Sequence, residues 1–423
     1  MMKRLMTRTA LVAVPLALLV GTIAAHEGDI PRGMPRFDHV FVIMMENHGY
    51  SQIINNPNAP FINKYAKQAN TADNYFAIAH PSLTNYLEVV GGSNFNVLSD
   101  NNPDWHNPTC TPNLLSGQTN IDVPALQHPQ ICPIAGSGMD APTPALDPTP
   151  NEGGSALKPL INIDGDPKKA IPAAPTVGKT IGDQLVAAGL SWKSYQESLP
   201  PSGADGVNFA DGFFTDSSDI PGAIPGEMQT LIKLYAAKHN PFVYFQSVQE
   251  GHDPRNSLKN VVPFSGSHGL YADLASGHVP SLAFIAPNQC NDQHGRDNAG
   301  PQCDFDPHNN GTQVGLNPAS ISLGDQTVQS LVELIHGSPA WQDGRSAIVV
   351  VWDENDYTAT PITNQVLVIV ETNHGDGDEP GVHSTQFYTH FSLLKSLESA
   401  FGVSCLNHAC DANVHVMSDV FGR

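Results

Sequence analysis

The chain has 423 residues and a formal charge of −21, from 41 acidic against 20 basic residues. So large a negative surplus works against nucleic-acid binding, which draws its affinity from neutralising phosphates, and no basic amphipathic stretch is present to hold an anionic membrane. The length is enough for one large α/β domain with a full core, or for two smaller ones.

The chain opens with Lys3, Arg4 and Arg8, then an apolar run from Ala10 to Val20, then Gly21-Thr22-Ile23-Ala24-Ala25. A basic start, a short apolar core and small residues before a polar one make a secretory signal peptide over residues 1–25. The run is too short to span a bilayer comfortably as an anchor, and no later segment is apolar enough to do so. We therefore expect export to a secreted or periplasmic location, without stable membrane insertion, and a single domain over residues 26–423.

Five short apolar runs read as buried parallel strands: Val40–Met44, Phe242–Phe245, Leu282–Ile285, Ala347–Val351 and Val366–Val370. Helical spacing appears between them at residues 180–188, 227–238, 325–336 and 390–401. Strands alternating with helices predict an α/β three-layer sandwich with a mostly parallel central sheet. Between about Ser93 and Thr176 the periodicity gives way to Pro, Gly and Asn, which reads as a long insertion. Six cysteines in an exported chain favour disulfides, and local spacing suggests Cys110 with Cys132, Cys290 with Cys303, and Cys405 with Cys410.

In open parallel sheets, ligands collect beyond the carboxyl ends of the strands. The first strand runs into Glu46-Asn47-His48, and the strand ending at Trp352 runs into Asp353-Glu354-Asn355-Asp356. Acids there serve either as turn and cap residues or as hard oxygen ligands for a divalent cation. Two such places in one acidic chain favour the cation. Ser82 precedes a helical apolar face of Leu83, Leu87 and Val90, with Gly91 to close it. It reads as a helix N-cap, or as a hydroxyl at the positive end of a helix where a cation would lower its pKa. Asn85 lies one turn on. No GxSxG elbow occurs, which disfavours an α/β-hydrolase triad. Asp292 and His294 follow the strand at 282–285, and His390 opens the last long helix. Each histidine is either structural or a ligand or general acid.

Taken in order, the pieces Val42-Ile43-Met44-Met45-Glu46-Asn47-His48, Ala59-Pro60-Phe61-Ile62-Asn63, His80-Pro81-Ser82-Leu83-Thr84-Asn85-Tyr86, Pro287-Asn288 through Asp292-Gln293-His294, Gly324-Asp325-Gln326, Trp352-Asp353-Glu354 and His390-Phe391-Ser392-Leu393-Leu394 with Glu398 resemble a bacterial phosphoesterase family. That family contains secreted acid phosphatases and phosphatidylcholine-type phospholipases C, within the alkaline phosphatase superfamily. The resemblance implies an alkaline-phosphatase-like fold. It implies a divalent metal (magnesium, calcium, manganese or zinc) on Glu46, Asn47, Asp353 and Glu354, with Ser82 as nucleophile forming a phosphoserine and Asn85 at the phosphoryl group. It places Asp292, His294 and His390 where the superfamily holds a second metal or the phosphate. The superfamily's second-metal aspartate and histidine are normally four apart, however, and Asp292 and His294 are two apart, a departure that bears against a second metal.

The implied substrate is a small phosphate monoester, or alternatively a phospholipid phosphodiester. A binding-only role for the acidic loops is the non-enzymatic alternative, and it would leave Ser82 with nothing but a capping task.

The leader makes the first testable statement. Exported protein is expected to begin after Ala24 or Ala25. Intact-mass measurement checks this, and a species still carrying Met1 to Ala24 would contradict it.

Overall fold

The computed structural model describes residues 27–95, 97, 100, 103, 133–134, 137–139, 175–199, 234–295, 303, 318–356, 364–373 and 381–422. The proposed leader and most of the 93–176 insertion, with Cys110 and Cys132, lie outside the described residues.

The principal sheet has eight strands: β1 (His39–Met45), β2 (Asn70–Ala72), β3 (Trp192–Gln196), β4 (Val261–Pro263), β5 (Leu282–Ala286), β6 (Ser346–Trp352), β7 (Val368–Thr372) and β8 (His383–Ser384). Their spatial order is β8-β2-β7-β6-β1-β5-β3-β4. All neighbouring pairs are parallel except β7 with β6 and β7 with β2. Strands β1, β5 and β6 are apolar throughout their centres and buried on both faces, as expected where helices cover both sides of a parallel sheet. Helices α2 (Ser82–Gly91), α3 (Ile181–Ala187) and α6 (His390–Phe401) pack together in one layer. Helices α1 (Pro60–Gln68), α4 (Leu270–Ser276) and α5 (Pro318–His336) form the other. This is the predicted α/β sandwich with a mostly parallel sheet.

Several local expectations need correction. Phe242–Phe245 is not a strand: Pro241–Tyr244 form a 3-10 turn. Pro241 lacks the N–H a ladder needs, and Phe242 stacks on Trp192 with ring centroids 4.3 Å apart and meets Phe284 edge-on at 5.7 Å. An apolar run of four cannot by itself distinguish these outcomes. The fourth central strand is instead β3, whose sequence WKSYQ is half polar. It tolerates burial because Ser194 Oγ bonds Asn240 Oδ1 and Gln196 Nε2 bonds Ser194 Oγ.

The run at 366–370 divides into Gln365–Val366, which belongs to a small three-stranded sheet with Tyr75–Phe76 and Tyr388–Thr389, and β7. Helix α5 begins at Pro318 rather than 325. Of the expected helix at 227–238, residues 227–233 lie outside the described residues, and the rest ends in a 3-10 turn at Ala237–His239. Cys290–Cys303 and Cys405–Cys410 are bonded as the spacing suggested.

The cap that closes α2 lies one residue later than expected, at Gly92, which adopts a left-handed φ of 72° and donates its N–H to Glu88 O. A Cβ at Gly92 would collide with the Leu406 carbonyl oxygen. Gly92→Ala is therefore expected to destabilise the fold by about 1–3 kcal/mol. Denaturant titration reads the change, and an unchanged midpoint would count against this account.

Candidate active site

Register brings the acids together. In the parallel pairing of β1 with β6, Met45 stands opposite Trp352. The next residues, Glu46 and Asp353, therefore leave the sheet side by side, and Asp353 N still donates to Met45 O at 2.9 Å. Strand β5, on the other side of β1, sends its loop back so that Glu46 N donates to Asp292 O at 2.8 Å. Three sequence-distant carboxyl groups thus meet at the carboxyl end of the three central strands, with Glu354 beside them.

All four are buried. Burial pushes Glu46 up to about 7, against the opposing charge of Lys238. It pushes Asp292 up to about 7 as well, against its contacts with His239. Asp353 and Glu354 are held well above the ordinary carboxylate range, first by burial and then by neighbouring carboxyl groups. Like charges crowded in a dry site favour the neutral acid, and a bound cation reverses that preference.

Ser82 lies in the same place by a different route. The N-cap of α2 is Pro81, and Ser82 is the first helical residue, so the serine does not cap the helix as its position suggested. Its hydroxyl donates instead to Glu46 Oε2 at 3.1 Å and approaches Glu354 Oε1 at 3.4 Å. Thr84, two residues on, points away and donates to Val97 O. Asn85 is anchored on four sides: Oδ1 accepts from Ile78 N and Ala79 N, while Nδ2 donates to Ala79 O and to Glu354 Oε2 at 3.1 Å. Its amide therefore braces Glu354 and the loop that leads into the serine.

Two histidines that the motifs did not single out are also present. His239 lies between acids, its Nε2 2.9 Å from Glu46 Oε1 and its Nδ1 3.2 Å from Asp292 Oδ2, and it stacks on Tyr86. His80 Nδ1 is 2.9 Å from Glu354 Oε2, and burial pushes this imidazole down to about 3, keeping it neutral. His80 was legible as the neighbour of Pro81-Ser82. His239 had no such signal, since it follows no strand.

His294 comes into the site two residues after Asp292, because Asp292 Oδ1 accepts its main-chain N–H at 2.8 Å and closes a tight turn. Its Nδ1 meets Gly295 O, and its Nε2 lies 3.3 Å from Lys238 Nζ. Lys238 also pairs with Asp100, whose other oxygen accepts Leu83 N at the start of α2. His390 stands behind the acids: Nε2 bonds the Asp353 carbonyl at 2.7 Å and Nδ1 the Tyr75 hydroxyl at 2.9 Å. Burial lowers it to about 4, so it is a neutral ring that orients the Asp353 main chain.

The donor set suits a divalent cation. Glu46, His239 and His294 each offer a ligand atom within 4.8 Å of the others. Asn47 adopts a left-handed φ of 55°. Its N–H bonds Asp353 Oδ1, and its Oδ1 is buried without a hydrogen-bond partner among the described residues. A buried amide oxygen left unbonded beside carboxylates is costly unless something else binds it. Oxygen-rich ligands with one or two imidazoles fit magnesium, calcium, manganese or zinc.

A family model described as the Phosphoesterase family matches residues 52–303. Among curated relatives, an acid phosphatase of Aspergillus fumigatus is 22% identical over 89% of this chain and 58% of its own length. A probable acid phosphatase of Kluyveromyces lactis is 23% identical over 89% of this chain and 62% of its own. A phosphatidylinositol-3-phosphatase of Mycobacterium tuberculosis is 22% identical over 97% of this chain and 93% of its own. The chain thus spans about three fifths of the length of the two fungal proteins. Among solved structures, an alkaline phosphatase superfamily protein of Vibrio parahaemolyticus aligns with a TM-score of 0.43 at 11% identity, covering 91% of this chain and 71% of that one.

The crowding of carboxyl groups makes a prediction about the chelator-treated protein. The folded pKa of Glu46 lies above its unfolded value, so the stability its protonated form contributes is present below about 4.5 and is lost as pH rises through about 7. Glu46→Gln keeps the shape and cannot ionise. At pH 8 it is expected to be more stable than the parent by an amount on the order of 1–3 kcal/mol, and so to melt at a higher temperature, with the gap closing towards pH 5. Melting curves across that range check it, and a variant less stable than the parent at pH 8 would refute the crowding.

Proposed function

Because the chain belongs to the Phosphoesterase family, we propose that it is an exported hydrolase of phosphate monoesters, acid-phosphatase-like, in which Ser82 attacks phosphorus. The observation that carries this reading is the Ser82 hydroxyl at the first turn of α2, donating to Glu46 Oε2 at 3.1 Å inside a buried ring of carboxyl and imidazole groups. The phosphatase names of the relatives support a monoester over a phosphodiester substrate. The disulfides Cys290–Cys303 and Cys405–Cys410 fit an oxidising compartment. Among the described residues no helix is long and apolar enough to cross a membrane.

Glu46, Asn47, Asp353 and Glu354 would hold the divalent cation beside Ser82, with Asp292, His239 and His294 on the other side of Glu46. When bound, the cation supplies Lewis-acid stabilisation of negative charge on the phosphoryl and serine oxygens. The residues themselves do the rest. Ser82 gives its proton to the adjacent carboxylate, and its oxygen forms a bond to phosphorus as the bond to the leaving alcohol breaks in line. The carboxyl group passes that proton to the departing alcohol. Water then attacks the phosphoserine and gives a proton to the same carboxylate, the bond from phosphorus to Ser82 Oγ breaks, and the carboxyl group returns the proton to the serine oxygen. The positive end of α2 and the Lys238 ammonium favour an anion here, while Asn85 and His390 hold Glu354 and Asp353 in place.

Ser82→Ala tests the reading. The serine is not the helix cap, so the variant is expected to lose less than about 1 kcal/mol of stability while turnover of p-nitrophenyl phosphate falls by several orders of magnitude. Parent protein quenched with acid during turnover should carry phosphate on Ser82, and Thr84→Ala should remain active. An active Ser82→Ala variant sinks the mechanism. Faster hydrolysis of a choline phosphodiester than of the monoester would move the assignment to a phospholipase C.

A further inference from the structure

Two separate loops bring acids to the site. Asp292 and His294 come from the turn after β5, and Asp353 and Glu354 follow β6 directly. These strands do not pair with each other, since each lies on its own side of β1. One buried side chain spans the gap. Gln293 Oε1 accepts from Trp352 Nε1 at 2.8 Å, and Gln293 Nε2 donates to Ile321 O at 3.1 Å. The orientation of the amide is forced, because an indole N–H only donates and a main-chain carbonyl only accepts.

The positions of the two partners matter. Gln293 is the residue between Asp292 and His294, and Trp352 immediately precedes Asp353. Gln293 has φ 83°, a left-handed conformation that a residue with a side chain adopts only when its surroundings demand it. That turn lets Asp292 and His294 face one site despite being only two apart. Helix α5 passes directly over it, and a Cβ at Gly324 would overlap Gln293 Cγ.

We propose that Gln293 is a positioning residue that locks the two acid-bearing loops together through Trp352 for cation binding, and that Gly324 provides its clearance. The proposal rests on the phosphoesterase reading of the site. It is tested by manganese binding to chelator-treated protein, measured calorimetrically, alongside hydrolysis of p-nitrophenyl phosphate by the same preparations. Gln293→Met and Trp352→Phe each remove one end of the same bond. Each is expected to weaken manganese binding by roughly 10–100-fold, the usual cost of losing a group that orients metal ligands, and to lower kcat more than it raises KM.

The double variant should be no weaker than the poorer single, because the two changes break one interaction. Gln293→Glu keeps the acceptor for Trp352 but turns a second oxygen on Ile321 O. It is the near-isosteric variant to use should Gln293→Met fail to fold, and it should also lose affinity. Gly324→Ala should lower affinity in the same direction. Folded Gln293→Met, Gln293→Glu or Trp352→Phe proteins that bind manganese as tightly as the parent, or losses that simply add, would overturn the proposal. A parent that neither binds manganese nor hydrolyses the ester overturns the functional reading with it. A parent that does both, with variants equal to it, removes only the role of Gln293.

Discussion

The site depends on the pairing of β1 with β6. A parallel ladder in which Met45 faces Trp352 obliges the following acids, Glu46 and Asp353, to emerge next to one another, roughly one strand spacing apart. The sheet is stabilised by burying apolar residues on both faces, and that stability holds carboxyl groups together at its end where they would otherwise separate. A slip of one residue would turn every side chain of β1 to the other face and dissolve both core and site. Fold and chemistry share one constraint.

The neighbouring elements are arranged around that acid pair. Asn85 and His80 hold Glu354, His390 holds the Asp353 carbonyl, and His239 bridges Glu46 and Asp292. Tyr86, one residue beyond Asn85 in α2, stacks on His239, which ties the helix of the serine to the turn of the histidine. Strand β3 contributes through Gln196, whose side chain bonds the His239 carbonyl. The polar character of that strand, which hid it from an apolar pattern, is what supports the histidine. The acids of the site are raised in pKa and two of its histidines lowered, all mainly by burial. Crowding so many carboxyl groups in a buried site disfavours their charged forms, and a bound cation reverses that preference.

The parts of the fold that could be read in advance were those where local composition and burial agree. Strands β1, β5 and β6 are uninterrupted apolar runs followed by polar loops, and the helices at 181–187 and 390–401 show a regular apolar face closed by glycine. Phe242–Phe245 misled because a short aromatic run satisfies a strand, a turn or a helix equally, and only Trp192 and Phe284 decide the outcome by packing against it. Ser82 looked like a cap because serine before an apolar face usually is one. Pro81 takes that position, and the hydroxyl is turned to Glu46.

The sequence by itself determined the class of fold, the acids at two strand ends, the pairing of four cysteines and the serine at the start of a helix, because each of these is written in neighbouring residues. Tertiary structure alone decided that Glu46, Asp353 and Asp292 meet, that His239 stands between two of them, and that the turn from Asp292 to His294 sets both beside His239. Those facts arise from strand order, register and one left-handed turn at Gln293. They join residues from 46 to 353 through space, where no local pattern of side chains reaches.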